Sequence, residues 1–279
     1  MEIGASTRLL TLVGDPVAHS LSPLMYNAAC RALGLDAVYV ALRVPANDVS
    51  TVFQALAATG GAGNVTVPHK EAAERSVARK TDVCARAGAC NTFWTEDGVL
   101  VGDNTDVAGV RGALTTLGAC NGGGGGGRWL VIGTGGSARA VAVAAADAGA
   151  ALWVRSRHPD RARAFTTWAS QIGVCAEAAH GPVEVDTAIN ATPLGLGERD
   201  PLPIEPKDLK GVRTALDLVY TPGGTRWVRT LRERVKDVAA TDGRDVLVQQ
   251  GAAAFSRFFP GVAAPLEVMR AAVERALRA

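Results

Sequence analysis

Apolar and polar positions change their period repeatedly along the first hundred residues. Residues 9–13 and 38–42 are short apolar runs of the kind that form buried strands, and residues 62–67 alternate as a half-buried strand does. Between these runs, apolar positions three and four residues apart predict helices from Ser22 to Gly34 and over residues 48–58. Such alternation of strands and helices is typical of an α/β fold.

The same pattern continues through the rest of the chain. A hairpin is predicted from residues 91–94 and 99–101, joined by a turn at 96–98. A polar cluster then opens a helix that runs to about Leu117. Further strands are predicted at residues 129–132, 151–154, 187–190, 215–220 and 238–241. Two helical stretches, 246–259 and 265–277, follow with no strand between them.

These elements predict an α/β protein of two domains. The first is an N-terminal α/β domain for the substrate, over residues 1–105, which the C-terminal helices at 244–279 complete. The second is a Rossmann-like nucleotide-binding domain over residues 106–243. Asn121 and the glycines at 122–127 form the one low-complexity segment, which we interpret as a flexible connection.

Composition narrows the classes of partner. Of the 279 residues, 48% are hydrophobic and 20% are charged, and a formal charge of only +2 gives no sign of a nucleic-acid or membrane-surface partner. The longest apolar tract, residues 140–146, is too short to span a bilayer, and the five scattered cysteines indicate neither disulfides nor a metal site. We expect a cytoplasmic protein acting on a small molecule, as a monomer or a homodimer.

Lys70 is the first candidate for chemistry. It follows the predicted strand at 62–67, which Pro68 ends because proline has no N–H to donate. The carboxyl ends of strands in an open α/β sheet are where ligands bind, and a lysine held there can donate a proton. An exposed lysine before a helix that starts at Glu71 explains the segment equally well.

Other polar residues also sit at predicted element ends. Ser22 suits the N-cap of a helix, and Ser20 and Ser22 together would favour a carboxylate at that N-terminus. Asp106 lies in the first turn of its helix, where complementing the helix dipole is a sufficient alternative role. Gln250 lies on an otherwise apolar helix and would suit a substrate hydroxyl, whereas an exposed face accounts equally well for Gln249.

A glycine turn points to a dinucleotide. The sequence G-x-G-x-x-A at Gly133, Gly135 and Ala138 follows an apolar strand and opens a helix, as a pyrophosphate site requires. Enzymes that use NAD usually have an acid about 20 residues further on. Residues 154–157 contain no acid but do contain Arg155, Ser156 and Arg157, so we predict NADP as the cofactor; solvated surface arginines are the alternative.

Combining these parts suggests hydride transfer to or from a carbonyl. Two such domains would form a cleft, with the nicotinamide facing the strand ends of the first domain. Hydride that reaches a ketone carbon leaves negative charge on oxygen, which needs a proton or a positive charge. Lys70 would supply it, and Asp106 would hold the ammonium and accept a bond from a substrate hydroxyl.

The chain resembles the shikimate dehydrogenase family over nearly its whole length. The motifs that carry the resemblance are Ser-Leu-Ser-Pro at residues 20–23, Asn-Val-Thr-Val-Pro-His-Lys at 64–70, Gly-Ala-Cys-Asn-Thr at 88–92, Asn-Thr-Asp at 104–106, the glycine turn at 133–138 and Gln-Gln-Gly-Ala-Ala-Ala-Phe at 249–255. The resemblance implies NADPH-dependent reduction of 3-dehydroshikimate to shikimate, in the route to chorismate and aromatic amino acids.

It also implies a role for each matching residue. Lys70 and Asp106 would be the catalytic pair. The substrate carboxylate would be bound by Ser20 and Ser22, with Tyr220 close by, and its hydroxyls by Thr66, Asn91, Asp106 and Gln250. The cofactor would be bound by the turn of Gly133, Gly135, Gly136, Ser137 and Ala138 and by the 2′-phosphate clamp at Arg155 and Ser156, with a second arginine such as Arg157.

Two departures from the family pattern concern the cofactor end. Val154 stands where the family usually has Asn before the clamp arginine, and residues 157–161 suggest a longer loop than usual. One rival is a relative that acts on quinate or an amino analogue, often with NAD, although such relatives tend to alter the serine pair or to carry the acid absent here. Another is a nucleotide-binding regulator without catalysis, which the presence of both Lys70 and Asp106 disfavours.

Overall fold

The structure is a computed structural model that describes residues 2–119, 126–197 and 199–278. The predicted flexible connection therefore lies outside the described residues, apart from Gly126 and Gly127. The chain divides into two compact units: Met1–Gly109 with Leu247–Ala279, and Val110–Val246. The sequence prediction places the corresponding domain boundaries after residues 105 and 243.

Unit 1 is built on a six-stranded mixed sheet. Its strands are β1 Arg8–Gly14, β2 Ala37–Arg43, β3 Ala62–Val65, β4 Arg79–Lys80, β5 Thr92–Glu96 and β6 Val99–Asp103. They lie in the order β2-β1-β3-β5-β6-β4, in which β2, β1 and β3 are parallel and β5 is antiparallel to both β3 and β6. Its helices are α1 Ser22–Ala32, α2 Val49–Ala58, α3 Lys70–Ser76, α4 Asp82–Ala87, the start of α5 Asp106–Thr116, most of α9 Arg244–Phe258, and α10 Leu266–Ala276.

The core of unit 1 has two parts. One cluster joins β1 and β2 to α1, α9 and α10 through residues such as Tyr26, Tyr39 and Phe255, all at most 1% exposed. The other joins β3 and β5 to α2 and α3 through Phe53 and Phe93, whose rings meet edge to face. The C-terminal helices thus supply apolar surface that the N-terminal residues alone would leave uncovered.

Unit 2 contains a fully parallel six-stranded sheet. Its strands are β7 Arg128–Ile132, β8 Ala151–Arg155, β9 Ala176–Ala178, β11 Thr187–Asn190, β13 Thr214–Asp217 and β14 Ala239–Thr241, and a separate small sheet pairs β10 Val183–Glu184 with β12 Leu209–Lys210. The order β14-β13-β11-β7-β8-β9 is that of dinucleotide-binding domains, with its switch point between β7 and β11. Helices α6 Gly136–Ala148, α7 Pro159–Gln171 and α8 Arg226–Arg234 connect the strands.

The core of unit 2 packs small helix residues and a large indole against this sheet. Residues 140–145 of α6, all alanine or valine, are fully buried. On α8, Trp227 is fully buried, and its indole N–H donates to the carbonyl of Ile204 (3.1 Å), so its one polar group is satisfied. No helix among the described residues has both the length and the apolar character that a membrane crossing requires.

The α/β class, the strand-helix alternation and the hairpin turn at Asp97 and Gly98 are confirmed. Two predicted strands are too long. β3 ends at Val65, because the carbonyl of Thr66 accepts a bond from His69 N (3.0 Å) and closes a turn. β13 ends at Asp217, because its own carboxylate accepts a bond from Val219 N (3.1 Å).

One further prediction, which concerns a loop, is wrong. The predicted loop at residues 157–161 ends at His158, because Pro159 opens helix α7; proline suits the first turn, which needs no N–H donor from it. Helix α8 was not predicted from the sequence. Its N-cap is Thr225, whose side chain accepts a bond from Val228 N.

Candidate active site

Lys70 and Asp106 form a close ion pair in unit 1. Each is the first residue of its helix, α3 and α5. Their side chains are only 11% and 14% exposed, and Lys70 Nζ lies 2.5 Å from Asp106 Oδ2. The alternative of an exposed lysine preceding a helix at Glu71 is therefore wrong, because the helix begins at Lys70 itself and its ammonium is largely shielded from water.

Asn91 holds the other oxygen of Asp106. Its Nδ2 donates to Asp106 Oδ1 (2.8 Å), and its Oδ1 accepts a bond from Thr105 N (2.7 Å). This backbone donor fixes which end of the amide carries oxygen, so Nδ2 must face the carboxylate. Asn91 is 2% exposed, so its amide holds Asp106 Oδ1 from a buried position.

Gln250 reaches this group from helix α9. Its Oε1 lies 3.3 Å from Asn91 Nδ2 and 3.4 Å from Thr105 Oγ1, and its Nε2 donates to the carbonyl of Leu247 (2.9 Å). Gln250 is 8% exposed. The structure therefore brings the predicted residues Lys70, Asn91, Asp106 and Gln250 together within unit 1.

A second ion pair connects α9 to the end of β6. Asp103, at the end of β6 and 4% exposed, accepts bonds from Arg257 Nε (3.0 Å), Thr81 Oγ1 (2.5 Å) and Asn104 N (2.8 Å). Arg257 lies two turns after Gln250 on α9, so this contact helps to fix the helix that carries Gln250. Sequence reasoning missed Asp103, although an acid at a predicted strand end was a usable signal.

A buried polar chain lies behind the group and was also missed. Tyr39 Oη donates to Asn64 Oδ1 (2.9 Å), and Asn64 Nδ2 donates to Thr92 Oγ1 (3.0 Å), which in turn lies 2.8 Å from Thr105 Oγ1. All four residues are at most 5% exposed. Tyr39, Asn64 and Thr92 are polar side chains inside predicted strands, which was a usable signal for this series of hydrogen bonds.

Ser20 and Ser22 lie at the start of α1, and Thr66 lies directly after β3. The prediction that Ser22 caps α1 is wrong: the helix begins at Ser22, and Leu21 occupies the cap position without a side-chain bond. Instead, Ser20 Oγ accepts a bond from Ser22 N (3.3 Å). Thr66 lies in the turn after β3, and a Cβ placed on Gly14 would approach its methyl group to 2.3 Å, so glycine is needed for that close approach.

The glycine turn of unit 2 connects β7 to α6. Gly133 has φ of +117°, and a Cβ there would lie 2.8 Å from the carbonyl oxygen of Ala191, so both the conformation and the packing require glycine. A Cβ on Gly135 would meet nothing within 4 Å. Gly136 and Ser137 begin α6, and Ala138 is fully buried against the sheet. The turn therefore leaves open space in front of the helix N-terminus, as a bound pyrophosphate would need.

The predicted 2′-phosphate clamp follows β8. Arg155 is the last residue of the strand, and its Nη1 is buried without a hydrogen-bond partner among the described residues. Ser156 Oγ accepts a bond from His158 N (3.2 Å), whereas Arg157 is exposed. An unpaired buried guanidinium nitrogen is costly, and this makes Arg155 the residue of the three that most needs an anionic ligand.

Tyr220 lies after β13, in a segment fixed by Asp217. Asp217 is fully buried, and it accepts bonds from Thr225 Oγ1 (2.7 Å), Asn190 Nδ2 (2.8 Å) and Val219 N (3.1 Å). Burial raises the pKa of Asp217 from 3.8 to about 6, against the three donors that lower it, and the nearby charge of Asp242 adds to the rise.

The chain is similar to known proteins over its whole length. Residues 12–93 match the family model described as the shikimate dehydrogenase substrate binding domain, and residues 243–274 match that of the shikimate 5′-dehydrogenase C-terminal domain. An NADP(+)-type shikimate dehydrogenase of Moorella thermoacetica is 38% identical over 291 residues, which cover 100% of the chain and 97% of the relative. That of Rubrobacter xylanophilus is 40% identical, with 97% of each chain covered.

A solved structure is similar over the same length. The shikimate 5-dehydrogenase of Thermus thermophilus, crystallised in complex with NADP(H) and shikimate, superposes with a TM-score of 0.84. It is 33% identical in sequence, and the comparison covers 96% of this chain and 99% of the other.

We predict that Asp217 makes stability depend on pH. Because its pKa is about 6 in the folded protein and 3.8 ordinarily, the folded state binds this proton more tightly than the unfolded chain does. The contribution to the free energy of unfolding is complete below about pH 4 and is lost as the pH rises through about 6, by up to about 3 kcal/mol. Urea unfolding measured at several pH values across this range should show that the free energy of unfolding of the wild type falls relative to that of Asp217→Asn as the pH rises. A constant difference between the two proteins would contradict a raised pKa.

Proposed function

The chain belongs to the shikimate dehydrogenase family, and we propose that it catalyses the NADP-dependent interconversion of 3-dehydroshikimate and shikimate. In a cell, the reductive direction would supply shikimate on the route to chorismate and the aromatic amino acids. This proposal combines the family membership with the chemistry of the group around Lys70.

The observation that carries the proposal is the Lys70–Asp106 pair. Its atoms are 2.5 Å apart and largely shielded from water. An ammonium in such a place can give a proton to an oxygen that is becoming an alkoxide, and it can stabilise the charge before the proton moves. Two further polar side chains lie next to the pair: Asn91 donates to Asp106, and Gln250 accepts a bond from Asn91.

The surrounding residues suit a polyhydroxylated ring acid. Asp106 accepts a bond from a substrate hydroxyl, while Asn91, Thr66 and Gln250 offer amide and hydroxyl groups to the other hydroxyls. Ser20 and Ser22, next to the N-terminus of α1, would bind the ring carboxylate. Tyr220 lies in unit 2, and its contact with the carboxylate remains a prediction from the resemblance.

Unit 2 offers residues that fit NADP. The turn at Gly133 and Gly135 and the N-terminus of α6 would hold the pyrophosphate. Arg155 and Ser156 would hold the 2′-phosphate, since Arg155 has a buried nitrogen to satisfy and residues 154–157 include no acid that would repel it. Arg157 is exposed and is the less favoured second arginine. Bound NADPH supplies a hydride to the ketone carbon.

In this step, the protein donates or accepts the proton and stabilises the charge on the substrate oxygen. As the ketone oxygen gains negative charge, Lys70 donates a proton to it, and Asp106 keeps the lysine side chain aimed at that oxygen. In the reverse direction, Lys70 as a neutral amine would take the hydroxyl proton, and the hydride would pass from the same carbon to bound NADP. Asn91 holds Asp106 Oδ1 throughout.

The direct test is the initial rate of nicotinamide reduction with shikimate or quinate, each with NADP or NAD. We expect a strong preference for shikimate with NADP. Activity mainly with quinate or with NAD would move the chain to the catabolic relatives, and no activity in the four assays would favour a non-catalytic nucleotide-binding protein.

Lys70→Ala should lower kcat by about 10³-fold or more, because general acid catalysis and charge stabilisation are lost together. Asp106→Asn should also lower kcat strongly while the protein stays folded. Lys80→Ala is a matched control, since Lys80 also pairs with a carboxylate of unit 1, Glu74, at 2.6 Å. The dissociation constant for NADP should be unchanged in all three variants. Near-normal turnover of Lys70→Ala would refute the mechanism.

Arg155→Ala should raise KM for NADP by about 10- to 100-fold, which corresponds to one or two lost charge-assisted hydrogen bonds, and should leave KM for NAD nearly unchanged. Only NADP carries the 2′-phosphate. Arg163→Ala, which removes an exposed arginine paired with Asp160 on α7, serves as the control. Equal effects on NADP and shikimate would count against the clamp.

A further inference from the structure

The carboxyl edge of the sheet in unit 2 contains a buried carboxylate to which the proposed mechanism gives no role. Asp217 ends β13 and, like its partners Asn190 and Thr225, is fully buried. Its Oδ1 accepts bonds from Asn190 and Val219, and its Oδ2 accepts one from Thr225. No cationic side chain among the described residues bonds to it. A carboxylate held only by neutral donors is poorly suited to charge chemistry and well suited to holding segments of chain together.

One of the segments it holds follows β11. Asn190 bonds to Asp217 and also organises the next turn: its Oδ1 accepts bonds from Thr192 N (3.0 Å) and Oγ1 (2.7 Å), and its Nδ2 donates to the carbonyl of Leu194 (3.0 Å). Within this turn, Ala191 donates its N–H to Ile132 (2.8 Å). Its carbonyl oxygen is the atom that leaves no room for a Cβ on Gly133. The turn fixed through Asn190 thus backs directly onto the glycine turn.

The other segment follows β13 and carries Tyr220. Asp217 holds it at both ends, at Val219 through the backbone N–H and at Thr225 through the hydroxyl that caps α8. The backbone of this segment then supports the next turn: Val219 O accepts a bond from Gly243 N (3.0 Å), and a Cβ on Gly243 would lie 2.3 Å from Leu218 O. A shift of this segment would therefore displace Gly243 as well as Tyr220.

We propose that Asp217 is a positioning residue that fixes the glycine turn and the Tyr220 segment together, and so sets the affinity for both NADP and shikimate. The inference rests on the proposed function for the ligands, but the geometry that carries it lies within unit 2. Asp217 acts through Asn190, Val219 and Thr225, and it touches neither ligand. Its hydrogen bonds are what matter, because both strand-end segments are held by donors to the carboxyl group.

The chain offers a matched control at the opposite ends of the same strands. Asp186 precedes β11, where its Oδ2 accepts a bond from Arg128 N (2.8 Å) at the start of β7 and its Oδ1 accepts one from Arg213 Nη2 (3.0 Å) just before β13. Like Asp217, Asp186 connects strand ends by hydrogen bonds. It does so at the amino edge of the sheet, away from the ligand-binding edge. Loss of either carboxylate should lower Tm, and only loss of Asp217 should weaken ligand binding.

The experiment compares Asp217→Ala, Asp217→Asn and Asp186→Ala by calorimetric titration with NADP, KM for shikimate and Tm. Asp217→Ala should raise the dissociation constant for NADP and KM for shikimate by about tenfold each, as expected when buried donors lose their acceptor and the segments that they hold shift. Asp217→Asn should restore both values to within about twofold of the wild type. Its Oδ1 can still accept two bonds, and its Nδ2 can donate to the Thr225 hydroxyl. Asp186→Ala should leave both values unchanged.

Equal ligand affinities in Asp217→Ala and Asp186→Ala would overturn the proposal. If Asp217→Ala does not fold, Thr225→Val removes only the Oδ2 bond and the α8 cap; it should raise KM for shikimate, and Thr225→Ser should restore it. Wild-type values in Thr225→Val would also overturn the proposal. The titration with NADP requires no turnover, so it tests the positioning role even if the wild type fails to oxidise shikimate.

Discussion

The candidate site in unit 1 depends on the ion pair of Lys70 and Asp106, two opposite charges that are largely shielded from water. An ammonium or a carboxylate that is only about a tenth exposed is expensive to keep ionised, and removing one partner of such a pair typically costs about 3–5 kcal/mol. The pair Lys70–Asp106 is stable only because each charge meets the other at 2.5 Å and because Asn91 supplies a further donor to Asp106. Since Asn91 is oriented by Thr105 N, the hairpin of β5 and β6 must keep its register for the ion pair to survive. The same hairpin end holds α9 through Asp103 and Arg257.

The parts of this arrangement that follow local rules could be predicted from the sequence. Apolar periodicity gives the strands and helices, and Asp97-Gly98 gives the hairpin turn. Residue types at predicted element ends pointed to Lys70 and Asp106 as candidates, and a polar residue within an otherwise apolar predicted helix pointed to Gln250. Local patterns could not predict that these side chains lie close together in space. Gln250 is 159 residues from Asn91 along the chain, and no local pattern predicts a contact over that separation. Element ends were also misjudged wherever a side chain or a turn replaced a ladder bond, as at Thr66 and Asp217.

In unit 2 the sequence was informative where glycine is required. The positive φ of Gly133 and its contact with Ala191 explain why the first position of the motif must be glycine, and the strand order then places the turn at the switch point of the sheet. The supports of this turn were not visible in the sequence. Asn190 ends one predicted strand, and Asp217 lies inside another. Their pairing depends on β11 and β13 being neighbours, a fact of topology that periodicity does not provide.

Asp106 begins a helix and Asp217 ends a strand, and the different partners of the two carboxylates explain their different roles. Asp106 faces an ammonium, so a proton moved from Lys70 changes the charge balance at the place where a substrate oxygen would sit. Asp217 faces an amide, a backbone N–H and a hydroxyl, and burial without a cation raises its pKa to about 6. A proton gained at Oδ2 can be donated to the Thr225 hydroxyl, which then accepts instead of donating, so each hydrogen bond survives protonation. A carboxyl group whose hydrogen bonds keep their geometry in both protonation states is suited to positioning other residues.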